Sequence, residues 1–133
     1  MSYYLLATLK VKYGQQRKFY EVMSHLKPVL EMTGWKLVGA YENAIGRLNT
    51  VFDLWEIHSP DSVPSSLAAA SKDADFVRWA AHLPELVEEE VLQIMTKVPS
   101  LLNPALPSSA GLRGLTPKRA IYVPRGPSHY QKE

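Results

Sequence analysis

Residues 35–58 have the sequence WKLVGAYENAIGRLNTVFDLWEIH, and this stretch decides the fold. Its two ends, 35–42 and 50–58, are rich in the aromatic and β-branched residues that favour strands. The segment 43–49 between them contains asparagines and a glycine, which are typical of turns. The stretch therefore predicts a β-hairpin with a longer loop.

The chain before the hairpin changes from a strand pattern to a helix pattern. Apolar side chains alternate along residues 3–11, at Tyr3, Leu5, Ala7, Leu9 and Val11. This period of two predicts a strand with one buried face. After Gln15, apolar residues recur at helical spacing, at Phe19, Val22, Met23, Leu26 and Leu30. We expect Pro28 to kink or interrupt this helix and Gly34 to end it in a left-handed conformation.

The chain after the hairpin repeats this order. A helical region begins at residues 59–61, is punctuated by Pro64 and Pro84, and is followed by a fourth strand within residues 88–98. The order β-α-β-β-α-β predicts an α+β, ferredoxin-like fold, in which both helical regions cover one face of a four-stranded antiparallel sheet.

The strands offer apolar residues to both faces of this sheet. In the third strand Phe52 and Leu54 point to one side, and Val51, Trp55 and Ile57 point to the other. A monomer would expose a large apolar face to water, which marks an interaction surface. We therefore expect a homodimer in which two sheets pack face to face.

Composition limits the classes of function. The net charge of +2 does not favour binding to nucleic acid or to a membrane, and the absence of cysteine excludes disulfides and thiolate metal sites. The lack of cysteine fits a cytoplasmic protein. No apolar stretch approaches the roughly 20 residues of a membrane helix, and the N-terminal residues do not resemble a signal peptide.

A proline-rich arm is predicted to follow the folded domain. Six of the ten prolines lie between Pro99 and Pro127, so we expect a ferredoxin-like domain over 1–98 and a C-terminal arm over 99–133. We expect residues 101–123 to pack along their own sheet or across the partner subunit.

The hairpin also resembles a known family. The strings Leu37-Val38-Gly39-Ala40-Tyr41, Gly46-Arg47-Leu48-Asn49 and Leu54-Trp55 resemble the hairpin of NIPSNAP-like proteins, which belong to the dimeric α/β-barrel superfamily. The first strand and its turn, from Tyr3 to Gly14, are similar too, so the resemblance covers roughly residues 3–98. Two positions depart from it, because Asp53 and Ile57 stand where the family often has histidine and tyrosine. The resemblance implies the fold and a dimer, but little chemistry.

Asp53 is the most informative polar residue in this stretch. It lies in mid-strand on the same face as Val51, Trp55 and Ile57, where a carboxylate is costly unless it is paired or hydrogen-bonded. One interpretation is an ion pair at the sheet rim with Arg47, Lys36 or an arginine of the arm. A second is a general base in a pocket, with a pKa raised by burial. A third is an exposed position.

The four histidines lack the spacing of a metal site, so we expect no metal and no bound cofactor. His25 on the first helix and His82 at the end of the helical region are candidate proton-transfer groups, or else partly solvated surface residues. Tyr4, Trp55, His58 and Trp79 are candidate ligand-binding residues, although the sequence favours core or interface positions for the aromatic ones.

Two functions follow as hypotheses. Relatives in the dimeric α/β-barrel superfamily include cyclases, isomerases and cofactor-free monooxygenases of aromatic or polyketide-like substrates, which implies a small-molecule enzyme with a cavity between helices and sheet. The alternative is a non-catalytic, homodimeric binding module. The two differ in whether a cavity with titratable groups exists.

Overall fold

The central strand of the sheet is the first one in the chain. In the computed structural model, which describes residues 2–98 and 101, the chain forms four strands and four helices. These are β1 (Tyr3–Val11), α1 (Gln16–Met32), β2 (Lys36–Glu42), β3 (Thr50–Ile57), α2 (Ser62–Ala70), α3 (Ala74–Ala80), α4 (Leu83–Leu86) and β4 (Val87–Thr96). The strand order is β2-β3-β1-β4, and every neighbouring pair is antiparallel. The predicted ferredoxin-like α+β fold is confirmed.

Alternation along β1 and β3 builds the core on the helical side of the sheet. On β1, Leu5, Ala7, Leu9 and Val11 are all buried. On the neighbouring strand β3, Val51, Asp53, Trp55 and Ile57 are buried on the same face. The helix α1 covers this face with the buried residues that its spacing predicted, Phe19, Val22, Leu26 and Leu30.

The first helix is continuous through Pro28, so the expected interruption does not occur. Pro28 is exposed, and water can therefore replace the backbone hydrogen bond that proline removes. Gly34 ends the helix as predicted, with a φ of 107°. The amides of Gly34 and Trp35 donate to the carbonyl oxygens of Glu31 and Leu30, which satisfies the free carbonyls of the last turn.

A bulge in β2 sets which of its side chains face the helices. Leu37 pairs with Trp55 and Gly39 with Leu54, so Val38 is the extra residue. Leu37 and Ala40 consequently share the helical face, although their spacing of three residues would place them on opposite faces of a regular strand.

The edge strand β4 begins at Val87, one residue before the predicted start of 88. Its first half contains Glu88, Glu89 and Glu90, all of them exposed. Charged residues are tolerated on an exposed edge strand, where they discourage pairing with other chains.

The centre of the outer face of the sheet holds half-buried apolar side chains. Tyr4, Leu6, Phe52 and Leu54 lie on it, next to exposed Val91. The expectation of a homodimer through this face stays a prediction.

Residues 2–97 form one compact unit. The predicted arm, apart from Leu101, lies outside the described residues, so the predicted boundary at 98 also stays a prediction. Within the part of the chain that the structure describes, no helix has both the length and the apolar character needed to cross a membrane.

Candidate functional site

Asp53 stands in the middle of the sheet between two small residues. In β3 it pairs with Ala7 of β1 on one side and with Ala40 of β2 on the other. It is only 5% exposed, and it points to the same face as Trp55. Because alanine side chains are short, the space beside the Asp53 carboxyl is not filled by its cross-strand neighbours.

An apolar cavity adjoins this carboxyl. It has a volume of about 280 Å³ and lies between the sheet and the helices. Its walls come from aliphatic and aromatic side chains that include Leu5, Ala7, Leu9, Met23, Leu26, Leu30, Trp35, Trp55, Phe76 and Leu92. Among the described residues, the titratable ones on its wall are Asp53 and Glu90. A few polar groups in an apolar cavity are the usual composition of a small-molecule site.

A second cavity of about 280 Å³ lies on the other side of Asp53, between α1 and β2. It shares Met23, Asp53 and Trp55 with the first cavity, and it is also lined by Tyr20 and Glu42. Glu42 is exposed and Tyr20 is 40% exposed, so this side leads toward solvent. Asp53 therefore borders both the apolar interior and a route by which protons can be exchanged with water.

Burial sets the protonation of these groups. Burial, followed by the negative charge of Glu90, raises the pKa of Asp53 from 3.8 to about 6. Burial also raises the pKa of Glu90. The pKa of Tyr20 is raised to about 12 by burial and by the neighbouring carboxylates of Glu42 and Asp53. Asp53 is thus a carboxyl group that can bind and release a proton near neutral pH.

The ion pairs seen among residues 2–98 do not include Asp53. They join Lys10 to Glu88, Lys18 to Glu21, Lys27 to Glu31 and Arg78 to Asp75. Two cations considered as partners are directed elsewhere, since Lys36 and Arg47 line depressions on the outer face of the sheet. The arginines of the arm lie outside the described residues.

The structure does not bring the candidate histidines to the cavity. His25 is exposed and stacks on Trp79, with ring centroids 3.8 Å apart and planes inclined by 4°. The His82 ring lies beside the same indole, with the two ring centroids 5.8 Å apart. His58 is exposed at the end of β3. Catalytic roles for His25 and His82, and a binding role for His58, stay untested predictions.

The candidate aromatic residues are divided between three places. Trp55 lines both cavities on the helical side of the sheet. Tyr4 is on the outer face, where the Lys97 ammonium lies 5.4 Å from its ring centroid. Trp79 packs against the edge of the core, and its indole contacts the rings of His25 and His82. The structure therefore brings Asp53 and Trp55 together and separates them from the others.

Sequence reasoning missed Glu90. The residue pairs with Leu9 of β1 and so faces the helices, at the exposed rim of the apolar cavity. A weak signal was available, since Glu90 is the last residue of an acidic run that leads into an alternating strand. The side of the sheet to which Glu90 points depends on the register between β1 and β4, and the acidic residues alone do not reveal that register.

No cluster of three or more histidine, aspartate or glutamate side chains that could hold a metal ion is present among the described residues. The candidate site is therefore a pair of carboxyl groups on the wall of an apolar cavity. Its geometry suits hydrogen bonding to, and proton exchange with, a small molecule.

Comparison with known proteins identifies the fold family. The family model described as NIPSNAP matches residues 4–101. No curated protein matches the chain. The solved structure of a NIPSNAP family protein from Agrobacterium tumefaciens is similar, with 17% identity, a TM-score of 0.66, and coverage of 80% of this chain and 100% of the other.

Two further structures show the same fold. A NIPSNAP family protein of unknown function from Agrobacterium tumefaciens has 20% identity and a TM-score of 0.65, covering 73% of this chain and 88% of its own. A protein from Bordetella bronchiseptica, provisionally named an antibiotic biosynthesis monooxygenase, has 16% identity and a TM-score of 0.57, covering 73% of this chain and 97% of its own. These likenesses show a shared fold.

Proposed function

Since this chain belongs to the NIPSNAP family, whose fold leaves a cavity between helices and sheet here, we propose that it binds a small apolar or aromatic molecule in that cavity and transfers a proton with Asp53. No cofactor takes part in the proposed step. The observation that carries the proposal is the carboxyl itself, which is 5% exposed, borders the apolar cavity and has a pKa of about 6.

The environment of Asp53 favours its action as a general base. At neutral pH the carboxyl is mostly ionised, yet its apolar surroundings stabilise the charge less than water does. Taking a proton from a bound C–H or O–H group neutralises this charge, and the proton can leave again on the side of Tyr20 and Glu42. A base with a pKa near the working pH contributes roughly 10²–10⁴-fold to a reaction rate.

This proton transfer is common to the reactions expected from the sequence. It begins an isomerisation or a cyclisation, and it also forms the anion that reacts with dioxygen in a cofactor-independent monooxygenation. The fold shared with a provisionally named monooxygenase supports this range of reactions. Aromatic or polyketide-like substrates, which have acidic C–H or O–H groups and apolar rings, suit the cavity wall.

The test uses 2-tetralone, a neutral bicyclic ketone with acidic C–H groups. Binding is followed by the fluorescence of Trp35 and Trp55, which both line the cavity, and proton abstraction by exchange of the ketone's C–H hydrogens in D₂O. We expect Asp53→Asn to bind the ketone and to lower the exchange rate by about 10²-fold. The matched control is Asp61→Asn, since Asp61 is exposed and caps no helix with its side chain. Equal exchange by Asp53→Asn and the wild-type protein would refute the role of Asp53.

A second candidate function is a non-catalytic homodimeric module. The observation in its favour is the half-buried apolar face of the sheet on the side away from the helices, around Leu54 and Phe52. We propose that a second copy of the chain covers this face in either case, because an apolar surface of this kind marks an interface. Binding of 2-tetralone without any exchange would favour the module over the enzyme.

A further inference from the structure

The exposed rim of the apolar cavity holds a second carboxyl group, Glu90, at a defined position relative to Asp53. Asp53 pairs with Ala7, and Glu90 pairs with Leu9 on the opposite side of the same strand. Both side chains therefore point to the helical face, from the two strands that flank β1. With strands about 4.8 Å apart and a rise of about 3.3 Å per residue, their Cα atoms are separated by roughly 12 Å.

This arrangement places the two carboxyl groups at opposite ends of the cavity floor, which is the part of the cavity wall that the sheet forms. The floor between them consists of Ala7 and Leu9, which are 6% and 5% exposed. Two side chains that approach each other from this separation leave room for a compact molecule between them. A ligand lying on the floor can therefore contact Asp53 with one atom and Glu90 with another.

Charge distinguishes the roles of the two groups. Burial and the negative charge of Glu90 raise the pKa of Asp53, and partial burial raises the pKa of Glu90. When the pair holds a single proton, the cavity carries one negative charge, and one carboxyl group is a proton acceptor while the other is a proton donor. Among the described residues, no lysine, arginine or histidine lines the cavity, and this part of the wall therefore disfavours ligands that bring a second negative charge.

We propose that Asp53 and Glu90 act as a base and an acid on the two ends of a neutral, enolisable carbonyl compound of one or two rings. The Asp53 carboxylate takes a proton from the carbon next to the carbonyl group. The electron pair of that C–H bond forms the C=C bond, the π pair of the carbonyl moves to its oxygen, and the oxygen takes the proton of Glu90. The products are the enol, a protonated Asp53 and a Glu90 carboxylate.

The net charge in the cavity is −1 before and after this step. The reaction therefore never places two carboxylates, or a carboxylate and an enolate, together in the apolar space, where their repulsion is strongest. The cavity volume of about 280 Å³ lies just below the usual range of roughly 300–1,000 Å³ for small-molecule sites, which limits the substrate to one or two rings. This inference rests on the proposed function, because it assigns the second group and the substrate class of the same site.

The test compares Glu90→Ala with Glu89→Ala. Glu89 is the adjacent residue of the same exposed strand and faces the opposite side of the sheet. With 2-tetralone we expect Glu90→Ala to lower the turnover number for hydrogen exchange by about 10–100-fold, with the KM changed by less than about threefold. Glu89→Ala should match the wild-type protein. Glu90→Gln, which keeps an N–H donor toward the carbonyl oxygen, should retain more activity than Glu90→Ala.

The outcomes separate this inference from the proposed function. Exchange that is lost in Asp53→Asn but unchanged in Glu90→Ala overturns the acid–base pair and leaves Asp53 as the base. The same result for Glu89→Ala and Glu90→Ala also overturns it, because the effect would then come from the strand. Exchange of a tetralone carboxylic acid as fast as 2-tetralone overturns the assignment of neutral substrates. Absence of exchange by the wild-type protein refutes both proposals.

Discussion

Replacing Asp53 by asparagine should stabilise the protein at pH 8. The pKa of this carboxyl is raised from 3.8 to about 6, which means that the folded protein binds the proton more tightly than the unfolded chain. Stability contributed by such a group is fully present below pH 3.8, is lost as the pH rises toward 6, and stays lost above it. At about 1.4 kcal/mol per unit of pKa, the ionised carboxyl lowers the free energy of unfolding by up to about 3 kcal/mol. Asparagine has a similar shape and does not ionise, so it should recover most of this amount at pH 8 and none of it at pH 3.5.

Urea denaturation and thermal unfolding of both proteins at pH 3.5, 5, 6 and 8 measure this difference. We expect the two curves to coincide at pH 3.5 and the variant to gain stability progressively up to pH 7, with a Tm raised by roughly 10 °C or more at pH 8. Asp61→Asn, which changes an exposed carboxyl, should show no such trend. A variant that is less stable than the wild type at pH 8 would refute the reasoning, because it would show that the ionised carboxyl is paired with a cation. Gain of stability with loss of activity is the expected behaviour of a functional group in an unfavourable environment.

Three further predictions concern the framework of the site. We expect a homodimer with an interface on the order of 2,000 Å², and replacing Leu54 by lysine on the outer face of the sheet should convert it into a folded monomer. Sedimentation velocity measures the oligomeric state of both proteins. A wild-type protein that is monomeric at micromolar concentration would contradict this prediction. Gly34→Ala should lower the free energy of unfolding by about 1 kcal/mol, because alanine disfavours the φ of 107° that ends α1; an unchanged urea midpoint would show that the turn relaxes. Deleting residues 100–133 should lower the Tm or weaken the dimer, whereas no change in either would show that the arm packs on neither the domain nor its partner.

The fold followed from local patterns that need no knowledge of distant contacts. Alternation along residues 3–11 and the helical spacing of Phe19, Val22, Leu26 and Leu30 placed β1 and α1 close to their observed limits. Gly34 ended the helix as expected. Pro28 did not interrupt it, since its position on the exposed side of α1 decides the effect and depends on the packing of the whole helix.

The site was only half predictable, because it is assembled by strand register. Asp53 could be found from sequence, since it interrupts the apolar alternation of its own strand. Glu90 could not, because its face is fixed by the pairing of Leu9 with Glu90 across a long stretch of chain. His25 was proposed because histidine as a residue type titrates near neutral pH. It lies one residue before the buried Leu26, where the helical turn directs it onto Trp79 and away from the cavity.

One small side chain gives this fold a means of changing its ligand during evolution. Ala7 lies in the floor of the apolar cavity between Leu5 and Leu9 of its own strand, and it is the smallest of the buried side chains on β1. A mutation of this codon to valine would fill part of the cavity beside Asp53 without replacing either carboxyl group. Related chains could therefore diverge in ligand size through a single position, independently of the residues that perform the chemistry.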